Sequence, residues 1–274
     1  MGTKSFSDTE QIVNGFNDYF TDIGEKLQQG IENTNNNILD FMGTKRNYKF
    51  SFRKISNLSL LKYIRKIKPK SSYGQDLLSN KLIKECFPII IDTITYLVNL
   101  SLQQGIVVPQ LKTSRVLPIF KEGSKNEFGN YRPISLISAF GKLIEKVVAA
   151  QFTKFLEVNK LLYKHQYGFR NLHDCQQPLM YFTEKVRQSL SSQNNTFSLA
   201  VFIDLKKAFD TIPFDHLLTK LEFYGVHGTT LEWFRSYLYG RQQCVEINGV
   251  RSTNRTVKMG VPQGSILGPL LFNL

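Results

Sequence analysis

One aspartate stands directly after an apolar run, where a carboxylate could do chemistry. Residues 197–203 read Phe-Ser-Leu-Ala-Val-Phe-Ile, and Asp204 follows them. The near-continuous apolarity predicts a strand buried on both faces. A carboxylate there costs free energy unless a cation or hydrogen-bond donors meet it, and Mg²⁺ prefers such oxygen ligands. Asp204 is therefore either a metal ligand or a structural aspartate, and the pattern leaves both open.

A second carboxylate, Asp210, follows in the stretch Leu205-Lys-Lys-Ala-Phe-Asp210. It could serve the same metal ion. Its position shortly before Pro213, at the predicted start of a helix, favours another role, in which it caps or braces the turn.

Residues 260–272 form a second unusual segment, Gly-Val-Pro-Gln-Gly-Ser-Ile-Leu-Gly-Pro-Leu-Leu-Phe. The glycines and Pro262 predict a tight loop, and Ser265 can cap a helix that begins after it. Gly264 leaves the backbone open to a close ligand such as a nucleotide. The segment is no Walker loop, because no Gly-Lys-Ser/Thr sequence follows.

Two basic residues fall on a predicted hairpin. Apolar strands at 116–121 and 131–137 flank the polar, glycine-containing loop 122–130. Lys121 ends the first strand and Arg132 begins the second. Across the hairpin they could converge on one phosphate chain, with Arg as a fork and Lys as a point charge. The alternative is two separate surface charges.

The overall charge favours a polyanionic partner. Lys and Arg outnumber Asp and Glu by 35 to 22, a formal net charge of +13, which points to nucleic acid before membrane. An ordinary basic protein is the alternative. The three cysteines have neither zinc-ligand nor redox spacing, so we expect reduced thiols.

The N-terminus is polar and has no apolar signal core. The most apolar run, 87–102, contains Pro88 and Asp92, is too short to span a bilayer, and predicts a buried helix. We therefore expect an intracellular protein, in cytoplasm or nucleus, without signal peptide, transmembrane segment or membrane partner.

The elements around these residues give an α+β pattern. The asparagine-rich connector at 30–37 suggests an N-terminal helical arm or linker over residues 1–45, ahead of a main domain at 46–274. A further hairpin is predicted around Asn248-Gly249. Helices are predicted at about 12–27, 58–67, 77–86, 88–104, 140–158, 178–190 and 213–225.

Four of these segments in series resemble the reverse transcriptase of non-LTR retrotransposons of the LINE or jockey type. They are residues 131–137, 165–170 (His-Gln-Tyr-Gly-Phe-Arg), 202–211 and 260–272. Order and spacing both match, from about residue 55 onward. The resemblance implies the fingers and part of the palm of a right-hand polymerase, with the thumb absent. It also implies RNA-directed DNA polymerase activity with an RNA template, a DNA primer and a dNTP.

The resemblance also implies roles for single residues. Asp204 matches the first catalytic aspartate, which holds two Mg²⁺ ions, and the carbonyl of Leu205 matches a further metal ligand. Phe209 matches the residue that excludes a ribose 2′-hydroxyl. The other matches are Lys121 and Arg132 to the fingers residues that grip the triphosphate, Gln263 and Gly264 to the loop on nucleotide and template, Gly168, Phe169 and Arg170 to a template-binding segment, and residues 71–76 to an N-terminal extension.

The chain departs from the family at one motif. The Tyr/Phe-x-Asp-Asp sequence expected after residue 272 does not occur, and no Asp-Asp pair precedes it. Because two Mg²⁺ ions need several carboxylate oxygens, we expect a C-terminally truncated domain that is inactive alone. Without the hairpin that carries this motif, we also expect an exposed edge on the Asp204 strand and little packing for residues 270–274.

Two other interpretations stay open. One is a non-catalytic nucleic-acid-binding remnant that keeps the basic fingers. The other is a fragment of a group II intron-type maturase, which shares the same palm, although the loop at 260–272 fits the LINE-like pattern better.

Overall fold

The computed structural model describes residues 8–31, 37–45, 47–69, 72–191 and 199–274, and these form helices around one mixed sheet. The helices are α1 (Thr9–Gln29), α2 (Asn57–Arg65), α3 (Asn80–Gln104), α4 (Ala139–Val158), α5 (Gln176–Leu190), α6 (Phe214–Phe223), α7 (Gly228–Leu238) and α8 (Leu267–Phe272). The strands are β1 (Thr113–Phe120), β2 (Tyr131–Leu136), β3 (Gln242–Ile247), β4 (Val250–Arg251) and β5 (Arg255–Thr256). Helix α7 is missing from the sequence prediction.

The sheet has the order β2-β1-β3-β4, and β5 pairs with β3. Strands β1 and β2 are antiparallel neighbours, which confirms the first predicted hairpin. Strand β3 runs parallel to β1, so helices α4 to α7 lie in the connection between them. Asn248 and Gly249 join β3 to β4 with φ values of 51° and 83°, as a two-residue turn of the I′ type requires.

The main core lies among the helices. Leu60 of α2, Leu143 and Phe152 of α4, and Trp233 of α7 are almost fully buried in it. A smaller core joins helix α1 to the sheet through Val13, Phe16, Phe20, Val116 and Val245. Helix α1 thus packs on the sheet through its own core, and the other helices share the main core.

Helix α3 corrects the prediction of two helices separated at Pro88. It is one helix of 25 residues that contains Pro88. Buried side chains on both sides of the proline, including Phe87 and Val98, pack into the same core. Tertiary burial thus outweighs the hydrogen bond that proline removes.

The same helix bears on the membrane question. Among the described residues, α3 is the one helix long and apolar enough to cross a bilayer by length and composition, so the statement that this run is too short does not hold for the whole helix. The apolar 18-residue stretch of α3 that meets this criterion is 28% buried. One such helix is weak evidence for a span, because core helices of soluble proteins pass the same test.

The prediction of a buried strand before Asp204 is also wrong for residues 199–203, the part of it that the structure describes. Residues 199–205 are neither strand nor helix, and Phe202 and Ile203 are each 83% exposed. No described strand pairs with them, and β structure forms only with a pairing partner. Phe197 and Ser198 lie outside the described residues, as does Ser71 of the predicted turn at 71–76.

The end of the chain is better packed than expected. Leu270, Leu271 and Leu274 are buried in the main core, so the expectation of little packing for this segment is wrong. Helix α8 reaches that core because it packs against α4.

Helix α1 is bound to the sheet by a buried amide as well as by apolar contacts. The Asn17 Nδ2 donates to Ser252 Oγ (3.0 Å) and to the Thr253 carbonyl (2.7 Å). Its Oδ1 accepts from Gln243 Nε2 (3.1 Å). Because Asn17 is fully buried, these bonds replace water completely.

We therefore expect Asn17→Ala to lower the free energy of unfolding by about 1–3 kcal/mol, because it leaves buried partners without hydrogen bonds. Urea denaturation would measure the change. The control is Gln11→Ala, an exposed position on the same helix, which should have little effect. Equal stability of the Asn17 variant and wild type would contradict the role given to this amide.

Candidate functional site

Lys121 and Arg132 lie on one face of the β1–β2 hairpin, here called the hairpin face. Ile119 is paired with Arg132 across the hairpin, and Lys121 lies two residues beyond Ile119. Side chains two apart along a strand share a face, so the two cations are diagonal neighbours. The Lys121 Nζ contacts Glu122 Oε1 at 2.5 Å. That hydrogen bond and the nearby charges of Lys121 and Arg132 lower the pKa of Glu122.

Lys207 extends this basic group from the segment that follows Asp204. Its backbone is left-handed, with φ 52°. Its Nζ donates to the carbonyls of Gly129 (3.1 Å) and Tyr131 (3.4 Å), at the tip of the hairpin. Burial lowers the pKa of Lys207, Asp210 opposes this, and Lys121, Lys206 and Arg132 lower it further. These cations are thus close enough to form one anion-attracting surface.

Asp210 is a partly buried carboxylate in the turn of residues 207–212, here called the Asp210 turn. Burial raises the pKa of Asp210 to about 6, although Gln263 and Lys207 act in the other direction. The Gln263 Nε2 donates to both carboxylate oxygens at 3.1 Å. Asp210 does not cap α6, whose N-cap is Pro213 without a side-chain bond. Of the two predicted structural roles, bracing is therefore right and capping is wrong.

The segment 260–265, here called the glycine loop, fits between the Asp210 turn and the sheet. Gly260 N donates to Ile212 O, Val261 N to Phe209 O, and Ser135 N to Gln263 O, each at 2.8 Å.

Glycine is required where these backbones meet. At Gly260, φ is +82°, and a Cβ would lie 2.7 Å from the Phe209 carbonyl oxygen. Gly264, with φ +104°, approaches the Ser135 carbonyl in the same way and is exposed on its other side. Ser265 Oγ accepts from Gly268 N in the first turn of α8 at 2.8 Å, although the N-cap residue of that helix is Ile266 and not Ser265.

The segment predicted to bind template comes into contact with Phe209. The rings of Phe169 and Phe209 are 5.8 Å apart and edge-on, and Phe209 stacks on Phe272 at 4.7 Å. The Phe169 side chain is 66% exposed. The Arg170 guanidinium makes a two-point ion pair with Glu157 (2.8 and 2.9 Å). The carbonyl of Gly168 accepts from Asn273 Nδ2 (3.0 Å).

Asp204 and Leu205 lie apart from these contacts, on the exposed segment described above. Within the described ranges, no group of three or more His, Cys, Asp or Glu side chains could hold a metal ion. The residues described here therefore do not fit a two-metal site by themselves.

Glu145 is a structurally important residue that sequence reasoning missed. It is buried in α4 and accepts from the backbone N–H groups of Ile266 (2.6 Å) and Leu267 (3.4 Å), and from the Tyr237 hydroxyl (2.9 Å). Burial raises the pKa of Glu145, against these bonds and the charge of Arg241. The available signal is a charged residue between apolar ones on the inward face of α4.

Comparison with known proteins identifies a family that this part of the chain matches. Residues 119–274 match the family described as "Reverse transcriptase (RNA-dependent DNA polymerase)". More than half of the chain lies in that match, and it includes the hairpin face, the Asp210 turn and the glycine loop. The chain therefore belongs to the reverse transcriptase family.

Its relatives come from mobile elements. It is 30% identical, over 86% of its length, to the "Probable RNA-directed DNA polymerase from transposon BS" of Drosophila melanogaster, covering 26% of that protein. It is 28% identical, over 77% of its length, to the "RNA-directed DNA polymerase from mobile element jockey" of Drosophila funebris, covering 23%. These names support the resemblance to non-LTR elements. The chain spans about a quarter of the length of these curated relatives.

We expect Glu145→Ala to lower the free energy of unfolding by about 2–4 kcal/mol, because two buried N–H groups and a hydroxyl lose their acceptor. Glu145→Gln keeps one acceptor oxygen and removes the buried charge, so its effect should be clearly smaller. Guanidinium denaturation of both variants measures this. Equal losses would show that the charge, and not the acceptor, matters.

Proposed function

We propose that this chain is the nucleotide-gripping part of a non-LTR retrotransposon reverse transcriptase, comprising the fingers and the first part of the palm. In this proposal residues 46–274 are the polymerase region and residues 1–45 precede it. The observation that carries the proposal is the convergence of Lys121, Arg132 and Lys207 at one hairpin. A dNTP triphosphate is the ligand that such a cluster suits, because its oxygens accept from several charged donors at once.

The neighbouring residues suit the rest of a nucleotide. Phe209 is held by its stacking on Phe272, so its ring can act as a fixed wall against the sugar. The exposed side of Gly264 leaves backbone open to a base or template strand. For the template, the exposed ring of Phe169 is a better candidate than Arg170, whose guanidinium is engaged by Glu157.

The metal-binding side is less complete. We propose Asp204 and the Leu205 carbonyl as part of the Mg²⁺ site that reverse transcriptases use. When bound, the ions of such a site would supply activation of a primer hydroxyl and neutralisation of negative charge on phosphate. One carboxylate cannot supply the ligands for both, so this chain alone is proposed to bind without catalysing extension.

The second candidate function is a non-catalytic remnant that binds nucleic acid and has no nucleotide site. The net charge of +13 favours it, since phosphate contacts alone give affinity for nucleic acid. Nucleotide binding separates the two, because a remnant that only binds RNA needs no site for a dNTP.

We expect Lys121→Ala with Arg132→Ala to weaken binding of a fluorescent dNTP by at least about tenfold, because two charge-assisted phosphate contacts are lost. Rising salt should weaken wild-type binding and narrow this difference. The control with equal charge loss is Lys26→Ala with Arg235→Ala, at exposed positions on α1 and α7. Equal affinity loss in both double variants would reject a site on the hairpin face.

We also expect the chain to extend no primer on an RNA template in Mg²⁺, because it supplies too few metal ligands. Incorporation of labelled dNTP measures this, with a complete reverse transcriptase as the positive control. Extension that Asp204→Ala abolishes would overturn the expectation.

A further inference from the structure

We propose that Asp210 is a positioning residue that fixes the glycine loop relative to the hairpin face. The inference rests on the proposed function, since it assigns Asp210 to the support of that nucleotide site. Its basis is that the Asp210 carboxylate bonds to Gln263, while the Asp210 backbone N–H bonds to Lys207, whose side chain reaches the tip of the hairpin.

On one side, Asp210 determines where the Gln263 side chain points. Both carboxylate oxygens accept from the Gln263 Nε2 at 3.1 Å, so that amide nitrogen faces the protein interior. The Gln263 carbonyl is held separately by Ser135 N of β2. Together these contacts tie the loop to the Asp210 turn and to the sheet.

On the other side, Lys207 lies near Asp210 in the same turn. The Asp210 N–H donates to the Lys207 carbonyl at 2.8 Å, and each side-chain charge favours the ionised form of the other. The Lys207 Nζ then donates to Gly129 and Tyr131. The hairpin tip and the glycine loop are thus held from one turn.

Helix α1 packs against the Asp210 turn. Gly24 packs so tightly on the turn that a Cβ there would lie 2.3 Å from the Asp210 carbonyl. Burial, and secondarily Asp210, raises the pKa of Tyr19, whose ring lies 5.8 Å from the Lys207 Nζ. Asp210 therefore lies near Lys207, Gln263 and Tyr19 and is partly shielded from water. Hydrogen bonds to a shielded charge are the strong and directional kind that hold geometry.

An exchange of the two side chains tests this directly. Asp210→Asn and Gln263→Glu are each nearly isosteric, and the double variant restores a carboxylate–amide pair with its direction reversed. Asp210→Asn leaves two amides, and Gln263→Glu leaves two carboxylates. Asp215→Asn, an exposed aspartate in α6, is the matched control.

Hydrogen–deuterium exchange of the 274-residue chain measures how strongly the backbone amides of the glycine loop are protected. We expect amides in peptides covering 257–265 and 133–137 to exchange about tenfold faster in each single variant. The double variant should return most of that protection, and α4 amides and Asp215→Asn should match wild type. Unchanged exchange in Asp210→Asn, or a double variant as unprotected as the singles, would overturn the proposal. If Gln263→Glu does not fold, Asp210→Asn against Asp215→Asn still decides.

Binding of a fluorescent dNTP to the same variants separates this inference from the proposed function. We expect Asp210→Asn to weaken binding several-fold and the double variant to recover part of it. If wild type binds no dNTP, the proposed function fails, and the exchange data still test whether Asp210 positions the glycine loop. If wild type binds and Asp210→Asn binds equally well, the brace has no role in the nucleotide site and this inference fails alone.

Discussion

The close backbone contact between the glycine loop and the Asp210 turn is the constraint on which the rest of the site depends. Gly260 and Val261 donate to carbonyls of the turn, and Gln263 accepts from β2. These bonds need the two backbones nearer than a Cβ at Gly260 allows. The fold therefore has to bring a turn, a strand and a loop from distant parts of the sequence to one place. Glu145 secures the far end of the loop by accepting from Ile266 and Leu267.

The charges follow from this packing. The hairpin face carries Lys121 and Arg132. Lys207 of the Asp210 turn adds a third cation, whose Nζ donates to the tip of the hairpin. Such a concentration of positive charge costs free energy in a folded chain unless anions offset it. Glu122, which is exposed, and Asp210, which is partly buried, offset it in part. The positive charge that remains would be free to attract a phosphate group, as the proposed function requires.

Local patterns predicted the hairpin face and the Asn248-Gly249 turn, because hairpin register and turn type are set by neighbouring residues. The contacts of Gln263 with Asp210 could not be predicted in this way, since they join segments far apart in the chain. Pro88 shows the same limit in reverse. Its local preference for a helix start was real, yet packing on both of its sides kept α3 continuous. The resemblance identified which segments belong to the site, but their mutual geometry came from the structure.

The two sides of the site differ in what holds them. The proposed nucleotide-binding side is made of a hairpin, a turn and a loop that bond to one another within the described residues. The segment at Asp204 is an apolar run whose strand pattern can be realised only by pairing, and Phe202 and Ile203 remain exposed. Asp204 is itself exposed on this segment. For the proposed role of Asp204 as a metal ligand, a strand paired beside this segment would be needed to set the direction of its carboxylate.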